Sequence, residues 1–125
     1  MNPKVKAKWL KALRSGEYDQ TREKLLRRTS KGDKFCCLGV LCNLYAQEHL
    51  GTGFRLEDLS FFNSVFELPS EVADWAMLEG HLIEDISMDA LAPTWCRLAT
   101  THLAYMNDEA GKNFNEIANW IEENL

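Results

Sequence analysis

A chain of 125 residues, 46% hydrophobic and 10% aromatic, carries enough apolar side chains for one folded domain over residues 1–125 and is too short for a second. No stretch approaches the roughly 18 consecutive apolar residues of a membrane span. The N-terminus interleaves Lys4, Lys6, Lys8 and Lys11 with apolar positions instead of preceding an apolar block, so a soluble, unexported protein is expected.

The net charge of −5 conceals a division: residues 1–34 hold 11 of the 14 Lys and Arg against 4 acids, and the remainder holds 3 cations against 15 acids. A basic segment of that density attracts phosphate-bearing ligands or acidic surfaces, while the acidic remainder disfavours extended nucleic acid. Equally, the two regions can face each other, within one molecule or across a dimer.

Asn2 followed by Pro3 predicts a helix start, with Val5, Trp9, Ala12 and Leu13 on one face, Lys4, Lys8, Lys11 and Arg14 on its flanks, and Ser15-Gly16 as its end. Glu17 to Gln20 read as loop. Lys24 to Thr29 predicts a short strand that returns through the turn Ser30-Lys31-Gly32-Asp33 to Lys34 and Phe35, a hairpin that brings Arg27 and Arg28 beside Lys34.

The stretch KFCCLGVLCNLY, Lys34 to Tyr45, has Phe35, Leu38, Leu41 and Leu44 at helical spacing and three of the four cysteines. It predicts a central helix from Cys37 to about His49, buried on most of its circumference and ended by Gly51-Thr52-Gly53. Gly39 inside it costs about 1 kcal/mol relative to alanine, which predicts close approach by another helix or by a ligand.

Phe54 to Phe66 crowds aromatics without a clean period and reads as an irregular core wrap or an interface. Pro69 opens a short helix through Ser70 to Met77 that Gly80 ends, and His81 to Pro93 reads as loop. A further helix is expected from about Thr94 through Met106, with a turn at Asn107 to Gly111. The last helix has Asn113 as cap, Glu116 as capping-box partner, and Phe114, Ile117, Ala118, Ile121 and Leu125 as its buried stripe.

The chain has no glycine-rich phosphate loop and no cofactor motif. Cys36, Cys37, Cys42 and Cys96 lack the paired spacing of a zinc knuckle, as do His49, His81 and His102. In apolar surroundings the clustered thiols read as core residues of a protein in a reducing compartment. Phosphate recognition would therefore depend on side chains: Arg22, Arg27, Arg28, Lys31 and Lys34, with Trp9 or Tyr18 to stack on a base.

The segment FCCLGVLCNLY, the Glu67 to Trp75 sequence ELPSEVADW, the closing pattern from Met106 to Glu122 and the opening KAKWLKALRSGEY resemble a group of small proteins carried by tailed bacteriophages. The resemblance implies an accessory phage product acting in the host cytoplasm, of the kind used in counter-defence; it implies no fold, activity or site residue.

The expected fold is mainly α, of α+β type, a compact helical domain with a small β-hairpin near Leu25 to Phe35. The expected function is a non-enzymatic, homo-oligomeric binding protein that sequesters a phosphate-bearing small ligand, such as a nucleotide immune signal, through the basic N-terminal region. One alternative is an inhibitor of a host protein, working through the acidic helices and the Phe54 to Phe66 aromatics. The other is a thiol-dependent enzyme using Cys36 or Cys37, whose thiolate would sit at a helix N-terminus near Lys34.

Overall fold

Asn2 begins the first helix as expected: its side-chain oxygen accepts from the backbone N–H of Lys4 at 3.0 Å, Pro3 occupies the first turn, and α1 runs Pro3–Arg14. The computed structural model describes residues 1–49, 51, 68–78 and 98–125. The Phe54 to Phe66 stretch, the His81 to Pro93 stretch, the Thr94-Trp95 helix start, Gly80 and Cys96 lie outside the described residues.

Three short strands follow: β1 Asp19–Gln20, β2 Leu26–Thr29 and β3 Gly32–Phe35, in the order β1-β3-β2. The β2–β3 hairpin pairs Leu26 with Phe35, Arg27 with Lys34, Arg28 with Asp33 and Thr29 with Gly32, so Gly32 and Asp33 belong to the strand and the turn is confined to Ser30 and Lys31. β1 lies parallel to β3, Asp19 opposite Lys34 and Gln20 opposite Phe35, where a loop was expected. Two residues carry no periodicity of their own. What holds them is a partner strand, continued by the Thr21 N–H donating to the Phe35 carbonyl at 2.8 Å.

α2 spans Cys37–His49 and buries Cys37 through Asn43 together with Ala46. Its first turn has an unusual cap: the Cys36 thiol accepts from the Gly39 N–H at 3.3 Å, taking the place of a serine hydroxyl. The close approach over Gly39 comes from the Leu25 backbone, which belongs to no helix. The Cys36 N–H donates to the Leu25 carbonyl at 3.3 Å, which brings that carbonyl so close over Gly39 that a Cβ there would stand 1.8 Å from its oxygen.

Three more helices complete the described fold: α3 Ser70–Ala76, α4 Ala99–Asp108 and α5 Phe114–Asn124. α3 ends one residue before Met77, which takes the left-handed conformation at φ 58° and caps the helix well short of Gly80. α4 starts after an extended Leu98, later than Thr94, and continues through Asn107 and Asp108, which were expected in a turn. α5 carries the full capping box of Asn113 and Glu116, with Phe114, Ile117, Ala118 and Ile121 buried. The architecture is thus α+β and mainly helical, as the sequence predicts. The core forms where α1 packs on α2 and α5, with Trp9 fully buried at its centre and its Nε1–H donating to the Cys37 carbonyl at 3.0 Å.

Candidate functional site

The three-stranded sheet has two unlike faces. Gln20, Phe35 and Leu26 lie side by side across the strands; Leu26 and Phe35 are buried, and the Gln20 amide reaches inward to Asn107 Oδ1 and the Lys112 carbonyl. By strand alternation Asp19, Lys34 and Arg27 form the matching row on the outer face. Arg27 is exposed and Lys34 half-buried. Lys31 projects at the exposed turn, and Arg28, beyond the edge of the core, pairs with Asp33 at 3.4 Å. Among the described residues Arg27, Lys31 and Lys34 make no ion pair.

The cations of α1 behave differently. Arg14 donates to Glu122 at 2.6 Å and to Asn119 Oδ1 at 2.9 Å, Lys6 reaches the Glu122 carbonyl at 3.2 Å, and Lys8 lies 3.5 Å from Glu48. The basic segment therefore divides, α1 facing the acidic helices of its own chain and the hairpin facing outward. The hydrogen bond from Arg14, together with its charge, holds the Glu122 carboxyl below its ordinary range.

Of the residues expected to bind a phosphate ligand, the hairpin sets Arg27 beside Lys34 on the outer face, with Lys31 at the turn, whereas alternation puts Arg28 on the opposite face, where it pairs with Asp33. Arg22 is apart from them: it is exposed, with its guanidinium 3.5 Å from where a Cβ on Gly111 would stand. The turn that carries it is fixed by Glu23, at φ 72°, whose N–H donates to Asp108 Oδ1 at 2.8 Å. Trp9 is a core residue with no exposed ring face, so it cannot stack on a ligand base. Tyr18 is half-buried, edge-on to Phe35 at 5.2 Å between ring centroids, and its hydroxyl accepts from Asn43 at 2.7 Å. Both aromatics are held by internal partners that the sequence does not show.

Cys36, Cys37 and Cys42 are free and buried. Burial pushes Cys36 up to about 11 even though the Gly39 N–H opposes the shift, and it raises Cys37 and Cys42 in the same direction. A neutral thiol is a poor nucleophile, and the helix N-terminus does not overcome the cost of desolvation. No three His, Cys, Asp or Glu side chains converge as a metal site among the described residues, and no described helix is long and apolar enough to cross a membrane.

Asn107 is the residue whose role went unread. It is fully buried, its amide donating to the Thr21 carbonyl and to Asp108 Oδ1, both at 2.8 Å, and its oxygen accepting from Gln20 and from the Cys37 N–H. Those bonds tie β1, the start of α2 and the end of α4 into one frame behind the outer sheet face. Neither the curated proteins nor the solved structures contained a match to this chain. The family comparison did, over its full length: the chain belongs to the family described as Domain of unknown function (DUF8296), whose model matches residues 1–125.

Proposed function

We propose that the protein is a non-enzymatic binding protein that takes a phosphate-bearing small ligand on the outer face of its sheet, through Arg27 and Lys34 with Lys31 at the rim. The observation that carries this reading is the register that sets Arg27 directly opposite Lys34. Like charges across a strand pair cost stability, and Asp19 flanks Lys34 on one side only. An anion held between the two cations relieves that cost and gains charge-assisted hydrogen bonds, with the guanidinium offering a planar fork to phosphate oxygens.

The resemblance to tailed-phage proteins supplies a setting: sequestration of a nucleotide immune signal in the host cytoplasm, with a homo-oligomer placing two such faces on one ligand. The buried, protonated state of Cys36 and Cys37 lends no support to the thiol-enzyme alternative.

Calorimetric titration of the full chain with pyrophosphate and with a nucleoside diphosphate tests the proposal. Arg27→Ala and Lys34→Ala should each weaken binding by about tenfold, and binding should fall with added salt. Unchanged affinity in both variants would overturn it.

A further inference from the structure

A second concavity lies away from the sheet, between α4 and α5, with a volume of about 330 Å³. Its apolar side is built from Trp120, His102 and Met106. The indole and imidazole lie with centroids 4.8 Å apart at a 34° tilt, forming a π-rich wall. On α5, Glu116, Asn119, Trp120 and Glu123 follow helical spacing and share one stripe, away from the buried Phe114, Ile117, Ala118 and Ile121.

The charges on this stripe are not equivalent. Lys112 also lines the cavity, but it lies 3.8 Å from Glu116, which accepts in addition from the Asn113 N–H at 3.2 Å. These two opposite charges offset each other and leave the lining with a net negative charge from Glu123. Asn119 accepts from Arg14, whose charge is met by Glu122. Glu123 lines the cavity and, among the described residues, makes no ion pair. Among the described residues the cavity thus presents one uncompensated carboxylate beside an indole.

We infer that this cavity is a binding site for a small organic cation, an amine on a compact or aromatic framework. A carboxylate and the negative face of an indole both favour positive charge, and their effects act at one place. The volume falls near the lower end of the range for small-ligand pockets, which suits a molecule of simple-amine size. The site is independent of the sheet face, whose cations would reject the same ligand.

The test uses the full chain and three probes that share a 4-hydroxyphenyl frame and differ in charge, tyramine, 4-ethylphenol and 4-hydroxyphenylacetate, followed by NMR at the Trp120 indole N–H, assigned through Trp120→Phe. Tyramine should give a saturable shift, 4-ethylphenol should bind roughly three- to tenfold more weakly, and 4-hydroxyphenylacetate more weakly still. Glu123→Gln, a near-isosteric change at an exposed position, should lower tyramine affinity by roughly threefold or more and leave 4-ethylphenol unchanged. Equal affinity for the three probes, an unchanged tyramine affinity in E123Q, or no saturable response would each overturn the assignment.

Discussion

The side-chain oxygen of Asn107 accepts the backbone N–H of Cys37 at 3.2 Å, joining the end of one helix to the first turn of another 70 residues earlier in the chain. That N–H is one of the donors a helix start leaves without an intrahelical partner, and here a buried side chain satisfies it. The same amide satisfies Thr21, Gln20 and Asp108, so all four of its hydrogen-bonding positions are filled.

Removing that amide should therefore be costly. Asn107→Ala leaves a buried N–H and a buried carbonyl without partners, and we expect a loss of about 3 kcal/mol in stability. Urea denaturation monitored by circular dichroism reads this directly; a loss no larger than that of a surface substitution would show that water or a shifted Gln20 replaces the amide.

Gly39→Ala should destabilise in spite of alanine's better helix propensity. The added methyl meets the Leu25 carbonyl oxygen at 1.8 Å, a rigid backbone atom, whereas the propensity gain is only about 1 kcal/mol. A net loss above about 3 kcal/mol, or failure to fold, is expected. A Gly39→Ala protein that melts higher than the parent would refute the close approach.

The thiols predict a pH dependence at the alkaline end. Between the ordinary thiol value of 9.0 and about 11, the unfolded chain releases a proton from Cys36 that the folded chain retains. The stability linked to this group is whole below pH 9.0 and is lost as the pH rises through about 11, with Cys37 and Cys42 adding in the same sense. Denaturation midpoints in reductant should fall over that interval, less steeply in Cys36→Ala. Cys36, Cys37 and Cys42 should also resist alkylation in the native protein at neutral pH; rapid modification at any of the three, read by peptide mapping, would contradict their burial.

Arg14 and Glu122 supply an acid-side counterpart. The Glu122 carboxyl is held below its usual range by the Arg14 hydrogen bond and charge, so its contribution is present above the ordinary carboxylate value and disappears as the pH falls through the lowered one. An NMR titration of Glu122 should move upward in Arg14→Gln. Because the pair is on the surface, overall stability should change little.

Much of the local structure was legible because it depends on neighbouring residues. Asn2-Pro3 and the Asn113–Glu116 box mark helix starts through bonds made within one turn. The hairpin follows from a strand-forming run on either side of a turn, and the unbroken apolar run from Cys37 to Cys42 shows that α2 is buried nearly all round. The basic cluster of the candidate site was visible for the same reason, since Arg27, Lys31 and Lys34 fall on one hairpin.

The sequence by itself thus determined where α1, α2 and α5 begin, the main apolar faces they bury, that the fold is α+β and mainly helical, and that cations crowd the hairpin. Tertiary structure alone decided that the Trp9 indole bonds to the Cys37 carbonyl, that Arg14 meets Glu122 while Arg27 faces outward, that Asp19 and Gln20 form a parallel strand, and that the Leu25 carbonyl covers Gly39. The physical reason is range. Capping, alternation and helical periodicity act over a few residues, whereas these contacts join segments whose pairing depends on how the whole chain closes.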